Sequence, residues 1–294
     1  MPEHSFQFSF EVFPPRTDEG LSKLIRTCNI LNRLGPCYFS VTFGALGSVQ
    51  PKTIEVVREL VRNGLPVTPH ISCINMTKKD IEDKLVEYIQ LGIQRLIVIR
   101  GDIPEGQENV VQDFKYASDL VMFIREITED YFHITVAAYP EYHCQATDVL
   151  RDLDNFKKKV DAGADSATTQ FFFNSDAYFN FLEDCERLHI DIPIVPGIMP
   201  LTNYEKLLRI SNLCGAEIPL WLKKNFALFA TDEEGARKFG VEVVMNLCKK
   251  LLQGGVEKLH FYTLNEIEPT ATVIQRLLKE FNLKEVVETE SLVA

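Results

Sequence analysis

Eight short runs of apolar, β-branched and aromatic residues recur along the chain with helix-patterned sequence between them, and this alternation narrows the fold more than any other feature. The runs are FQFSFEVF (6–13), CYFSVTFG (37–44), PVTPHISC (66–73), RLIVIRGD (95–102), HITVAAYP (133–140), SATTQFFF (166–173), IPIVPGIMP (192–200) and KLHFYTL (258–264). Each has the length and residue types of a strand. The first six start at 6, 37, 66, 95, 133 and 166, spaced as one β/α unit requires. Strands joined through helices pair in parallel, because a parallel neighbour is reached only by a crossover. Eight such units within 294 residues predict one domain spanning residues 1–294, a (β/α)8 or TIM barrel. A doubly wound open sheet is the other arrangement of the same units.

The intervening segments carry start and stop signals. GLSKLIRTCNILNRLG sets Leu21, Leu24, Ile25, Cys28 and Leu31 on one face. TKKDIEDKLVEYIQLG opens with Thr77 and Asp80 in a capping-box spacing and stops at Gly92. DVLRDLDNFKKKVDAG stops at Gly163, and TDEEGARKFGVEVVMNLCKKLLQGG opens with Thr231 and Glu234 and closes at Gly254. The stretch between the seventh and eighth runs holds two helical segments, which predicts one extra helix there.

Composition removes several function classes. The formal charge is −11 and no Lys/Arg-rich run occurs, which argues against nucleic acid and against an anionic membrane surface as partners. The seven cysteines are scattered without a CxxC pair, the pattern of reduced cytoplasmic thiols rather than of a disulfide framework or a zinc site. MPEHSFQFSF lacks the basic start and apolar core of a signal peptide, and no apolar run approaches the roughly 18 residues of a membrane span. The chain reads as cytoplasmic, and homo-oligomerisation stays open.

In a barrel of this kind the chemistry sits at the carboxyl ends of the strands. Six successive runs bring a polar side chain to that rim: Glu11, Thr42, His70, Asp102, Tyr139 and Gln170. Each alone has a plain structural explanation, such as a core histidine or a turn-forming aspartate; together they mark a site. His70 and Cys73 are too few to hold a metal. The segment GDIPEGQE has no Lys-Ser/Thr after its second glycine, and no GxGxxG follows a strand, so neither common phosphate loop is present. Asp152, Asn155, Lys158 and Lys159 fall at helical spacings of three and four. Such a face suits either solvent or a ligand with a ribose and a diphosphate.

Taken in order, SFEVFPPR, FSVTFGA, PHISC, VIRGDIPEG, YASDLV, AAYPEYH, KKKVDAGADSATTQFFF, PGIMP and HFYTLN resemble the bacterial methylenetetrahydrofolate reductases. The resemblance runs from about residue 9 to residue 265. It implies a TIM barrel that binds FAD at its strand ends. Its implied activity is reduction of 5,10-methylenetetrahydrofolate to 5-methyltetrahydrofolate with NAD(P)H, which supplies methyl groups for methionine synthesis. Carried over by motif, Glu11 and Asp102 are catalytic. Thr42, His70, Arg100, Gly101, Asp102, Tyr116, Ala117, Tyr139, His143, Asp152, Asn155, Lys158 and Lys159 contact FAD. Gln170, Tyr204 and Glu266 contact the folate. Two positions depart from a well-known bacterial branch: Tyr204 replaces phenylalanine, and Glu266 replaces an arginine that contacts the folate. Glu11 lies among Phe8, Phe10 and Phe13 in sequence, which predicts a carboxyl pKa raised by desolvation. A lysine Schiff-base aldolase, or a non-catalytic or partner-dependent flavin- or folate-binding barrel, are the competing functions of the same fold.

Overall fold

The structure, a computed structural model, describes residues 6–43, 51–101, 113–144, 146, 148–201, 203–229 and 231–281. Asp102, the proposed partner of Glu11, lies outside the described residues. Strands and helices alternate as β1 (Gln7–Val12), α1 (Asp18–Asn32), β2 (Phe39–Val41), α2 (Pro51–Arg62), β3 (Val67–Ser72), α3 (Lys78–Gln90), β4 (Arg95–Ile99) and α4 (Ala117–Thr128). They continue as β5 (His133–Ala138), α5 (Val149–Asp161), β6 (Ser166–Thr169), α6 (Ser175–Arg187), β7 (Ile194–Val195) and β8 (Gly197–Ile198). The chain then runs through α7 (Tyr204–Cys214), α8 (Leu220–Ala227), α9 (Glu233–Gln253), β9 (Lys258–Tyr262) and α10 (Thr270–Glu280).

The strands are parallel, in the order β7-β6-β5-β4-β3-β2-β1-β9-β8. β7 and β8 stand at opposite ends of that order, yet only Pro196 separates them in sequence. They are two halves of one barrel strand: β7 pairs with β6, β8 pairs with β9, and the sheet closes through Pro196. Proline brings no N–H to a ladder, while the Pro196 carbonyl accepts from the His260 N–H at 3.0 Å. Pairing passes from one neighbour to the other at this residue. The result is the (β/α)8 barrel that the alternation predicts, not the open sheet. Gly197 is required at the junction, since a Cβ there would lie 2.2 Å from the Thr169 carbonyl oxygen and 2.7 Å from the Tyr262 ring.

Strand alternation sorts the side chains into two layers. Phe10 meets Phe39 and Phe261 at ring-centroid distances of 5.5 and 6.4 Å, in the apolar layer between barrel and helices. Residues of the opposite parity face the barrel axis: Ser9 and Glu11 on β1, His260 and Tyr262 on β9. β1 and β9 pair in register, with Ser9 opposite His260 and Glu11 opposite Tyr262.

The expected capping box at Thr77 and Asp80 opens α3. α9 starts differently: its cap is Asp232, whose carboxylate accepts from the Gly235 N–H, rather than Thr231. The aspartate next in line is the stronger cap and takes the role. The connection before β9 carries three helices where the sequence pattern predicts two. Gly215, with φ of +78°, ends α7, and Pro219 begins α8, so a stop and a start lie within what reads as one helical segment. No helix among the described residues is long and apolar enough to cross a membrane.

Candidate active site

The carboxyl ends of the strands gather most of the residues picked out from the sequence. Glu11 lies on β1 and His70 on β3. Thr42 directly follows β2, Arg100 and Gly101 follow β4, Tyr139 follows β5, and Gln170 follows β6 rather than lying within it. Glu266 sits in the loop beyond β9 and Tyr204 opens α7.

Glu11 faces two imidazoles. Its Oε2 is 3.4 Å from His70 Nε2 and 3.7 Å from His260 Nε2. The far nitrogen of His260, Nδ1, is 2.7 Å from Ser9 Oγ, and Ser40 Oγ is 3.4 Å from His260 Nε2. Desolvation pushes the Glu11 carboxyl up, but hydrogen bonding and charge interaction with His260 and His70 outweigh it and hold the pKa at about 2. This reverses the sequence expectation. Phe8 and Phe10 belong to the outer apolar layer and Phe13 is exposed, so the groups around Glu11 are polar. Nearby, burial and the negative charge of Glu11 raise the Tyr262 phenol well above its ordinary range; its hydroxyl donates to the Thr169 carbonyl at 2.6 Å.

The end of β1 is clamped to the end of β9. Thr263 Oγ1 donates to the Glu11 carbonyl at 2.7 Å. Asn265, in the left-handed backbone region at φ of +61°, accepts from the Phe13 N–H at 2.9 Å and donates to the Phe13 carbonyl at 2.8 Å. These bonds fix the backbone from the Glu11 carbonyl to Phe13.

A second cluster lies where β5 meets α5. The rings of Tyr139 and His143 meet edge-on with centroids 4.6 Å apart. Asp152 accepts from the His143 N–H at 3.0 Å. Lys158 and Lys159, which share a helix face in the sequence reading, part company. Lys158 pairs with Asp154 at 2.6 Å on the surface, while Lys159 turns inward, donates to the Ala137 carbonyl at 2.5 Å and lies 5.7 Å from the Tyr139 centroid. Burial lowers the Lys159 pKa to about 8. Asn155 is exposed on the same helix, and Tyr116, also exposed, caps α4 just ahead of Ala117. Gly101 has φ of +88°, and a Cβ would fall 2.2 Å from Ser72 Oγ, so the backbone here packs directly on the end of β3. The Asp152 carboxylate, the inward Lys159 ammonium, the Tyr139 and His143 rings and a glycine-tight backbone form a donor set that fits a ligand with ribose, diphosphate and a planar ring, with Lys158 out on the surface.

Two residues lie further out on the rim. Tyr204 stacks on Phe226 at 5.5 Å. Glu266 is half exposed and pairs with Lys23 of α1 at 3.4 Å, so its charge already has a cationic partner.

Ser9, His260, Tyr262, Thr263 and Asn265 escaped selection as site residues. The signal for two of them was in KLHFYTL, where His260 and Tyr262 share strand parity. Placing them beside Glu11 also required knowing that the first and last strands pair.

Residues 1–278 match the family model described as methylenetetrahydrofolate reductase. The chain belongs to the methylenetetrahydrofolate reductase family. It is 37% identical over 270 residues to the 5,10-methylenetetrahydrofolate reductase of Escherichia coli (strain K12), covering 92% of this chain and 90% of that one. It is 38% identical over 283 residues to a protein of Oryza sativa subsp. japonica named probable methylenetetrahydrofolate reductase (NADH). That match covers 92% of this chain and 48% of the rice protein, so the chain spans about half the length of its plant relatives. Among solved structures, a Clostridium thermocellum protein described as binding two copies of 5-methyl-5,6,7,8-tetrahydrofolic acid superposes with a TM-score of 0.66 at 15% identity. The superposition covers 96% of this chain and 97% of that one and shows the shared barrel fold.

Proposed function

We propose that this member of the methylenetetrahydrofolate reductase family reduces 5,10-methylenetetrahydrofolate to 5-methyltetrahydrofolate, with NAD(P)H as electron donor and FAD as bound cofactor. The observation that carries the reading is Glu11 held at the barrel rim between His70 and His260. FAD, when bound, supplies hydride transfer between nicotinamide and folate, chemistry that no side chain provides. The protein's own task is to make the folate carbon electrophilic.

The methylene carbon bridges two nitrogens and accepts a hydride poorly. Protonating one nitrogen opens the ring to an iminium cation, which accepts it well. That calls for a general acid at the rim, and Glu11 Oε2 has the position for it. The carboxyl is ionised at rest, so the proton comes from a facing ring in its imidazolium form, which passes it through Oε2 to the substrate nitrogen and is left a neutral imidazole. The returned carboxylate then stabilises the cation beside it. Asp102 is assigned a similar electrostatic role on its motif alone. The clamp from Thr263 and Asn265 keeps Glu11 from following the proton. Gln170 and the Tyr204 ring are assigned to the folate. Asp152, Asn155, Lys158 and Lys159 are assigned to the ribose and diphosphate of FAD, with Tyr139 and Tyr116 beside them.

Protein denatured in acid should release FAD. Anaerobic titration with NADH, and separately with NADPH, should bleach the flavin absorbance without a partner protein. Release of FMN, or no flavin from protein reconstituted with excess FAD, would refute the cofactor assignment. Flavin that only a second protein can reduce would favour the partner-dependent alternative.

A further inference from the structure

The amino ends of the strands, opposite the catalytic rim, carry a charged cluster that the reaction does not use. Arg95 opens β4 and His133 opens β5. The two are register partners in a parallel pair, so their side chains leave the sheet on the same side. Both line a cleft of about 490 Å³ with Arg125, Asp130, Tyr131 and Asp165, a size within the range of small-molecule sites. On this face of a barrel side chains ordinarily serve stability, and Arg125 and Asp165 do so. Arg125 donates to Asp165 at 2.5 Å and to the Gly163 and Phe132 carbonyls at 2.9 and 2.7 Å. Asp165 also accepts from the Ile134 N–H at 2.6 Å. The charges of this pair are already matched.

Arg95 has no such match. No carboxylate among the described residues pairs with its guanidinium, and its Nε is buried without a partner there. The guanidinium lies over the Tyr38 ring, 5.5 Å from the centroid. A cation held against a ring by its face keeps its N–H edge for another group. A charged N–H taken from water and left unpaired is costly, so the fold carries a donor fork whose acceptor is not found among the described residues. Beside it, His133 Nε2 is 2.8 Å from Ser166 Oγ, which fixes the ring by one nitrogen. Burial, and then the charge of Arg95, hold the His133 pKa below its ordinary value; Arg125 and Lys258 act in the same direction and Asp165 against them. The field at the cleft is therefore positive in a chain whose formal charge is −11. Asp130 is exposed, where solvent screens it.

We propose that the amino-terminal cleft is a binding site for a small oxyanion, the carboxylate or phosphate group of a metabolite, with the Arg95 guanidinium as its charged anchor and the His133 ring beside it. The planar fork of an arginine takes two oxygens of either group side by side. The ligand supplies the acceptor that Arg95 Nε lacks, and the matched Arg125–Asp165 pair forms a fixed wall beside it. The site stands apart from the reaction proposed above and does not depend on it. It lies at the opposite end of the strands from Glu11 and Gln170, so its ligand and the folate occupy separate places.

The test is a calorimetric titration of the full chain with inorganic phosphate and, separately, with succinate, ionic strength being held constant with chloride, while NMR follows the His133 ring. At least one of the two anions should bind saturably, and which one does tells phosphate from carboxylate. The His133 signal should move with the same midpoint, and its pKa should rise, because an anion beside the ring favours the protonated form. Arg95→Met, which keeps an unbranched stem and removes the charge, should weaken binding roughly tenfold or more, the scale of a charged hydrogen bond. If Arg95→Met does not fold, Arg95→Lys keeps the charge, loses the fork and should also weaken binding. Saturating 5-methyltetrahydrofolate should leave the wild-type affinity unchanged. The proposal falls if neither anion moves the His133 signal, if the Arg95 variants bind as wild type does, or if the folate displaces the anion, which would place it at the catalytic rim.

Discussion

Glu11 and His260 face each other at 3.7 Å across the first and last strands of the barrel, and Ser9 holds the far side of the ring at 2.7 Å. Barrel closure makes this pair: residues 249 positions apart become neighbours only because β1 pairs with β9 and sets Ser9 opposite His260. The pair decides how Glu11 titrates, since imidazole contacts overcome a burial that acts in the other direction.

A stability effect in acid follows. The Glu11 pKa is about 2 in the folded protein against an ordinary 4.5. A depressed carboxyl contributes stability that is complete above its unfolded pKa and is lost as pH falls through the folded one. The stability gap between wild type and Glu11→Gln should therefore be constant above pH 4.5 and narrow between about pH 4.5 and about 2. Urea unfolding of both proteins across that window checks it, and a gap independent of pH would show that the imidazoles do not hold the carboxyl down.

Gly197→Ala should destabilise the barrel by roughly 1–3 kcal/mol, the usual cost of overpacking. The added Cβ would meet the Thr169 carbonyl at 2.2 Å, and a backbone atom of a paired strand cannot swing aside as a side-chain end would. Thermal or urea unfolding measures the loss. A variant as stable as wild type would mean that the junction at Pro196 is looser than the close contact indicates.

The barrel was legible because its evidence is local: each run and each helical segment lies within at most 25 residues, and the alternation survives errors at individual boundaries. The split of the seventh strand was less visible. IPIVPGIMP shows a proline, but whether a proline ends a strand or passes it between two neighbours depends on closure. Glu11 and His70 could be picked out because a charge or an imidazole in an apolar run is unusual. The depressed Glu11 pKa was out of reach, because Phe8 and Phe10 are its sequence neighbours while His70 and His260 are its spatial ones. Lys158 and Lys159 illustrate the same limit: adjacent on α5, they take a surface carboxylate and a half-buried carbonyl as separate partners.

Glu266 is proposed, from its motif position, to lie beside the folate tail. Its carboxylate pairs with Lys23 at 3.4 Å in an exposed setting, and exposed pairs contribute little to stability. With Glu266 placed as proposed, Glu266→Arg removes a negative charge facing the substrate's carboxylates and releases Lys23, so folate binding should tighten by about 1 kcal/mol with little change in fold stability. The gain should shrink in high salt, where exposed charges are screened. The folate Michaelis constant at low and high salt decides the matter; an unchanged constant at both would place Glu266 away from the tail.

Asp152 has two tasks, anchoring the His143 backbone at 3.0 Å and, as proposed, holding the cofactor ribose. Asp152→Ala should weaken FAD binding roughly tenfold or more, the scale of one charged hydrogen bond. Recovery of flavin fluorescence on dilution reports the release. Affinity equal to wild type would remove Asp152 from the cofactor site.

The most direct measurement of the catalytic account uses rapid mixing. Protein bleached anaerobically with NADH is mixed with 5,10-methylenetetrahydrofolate, and the return of flavin absorbance is followed for wild type and Glu11→Gln. The account predicts prompt return in wild type with formation of 5-methyltetrahydrofolate, and a return about 100-fold slower or more in the variant, the scale of losing a general acid. Bleaching by NADH should proceed at nearly the same rate in both. A variant that reoxidises with folate as fast as wild type would contradict the assignment of Glu11 as the acid.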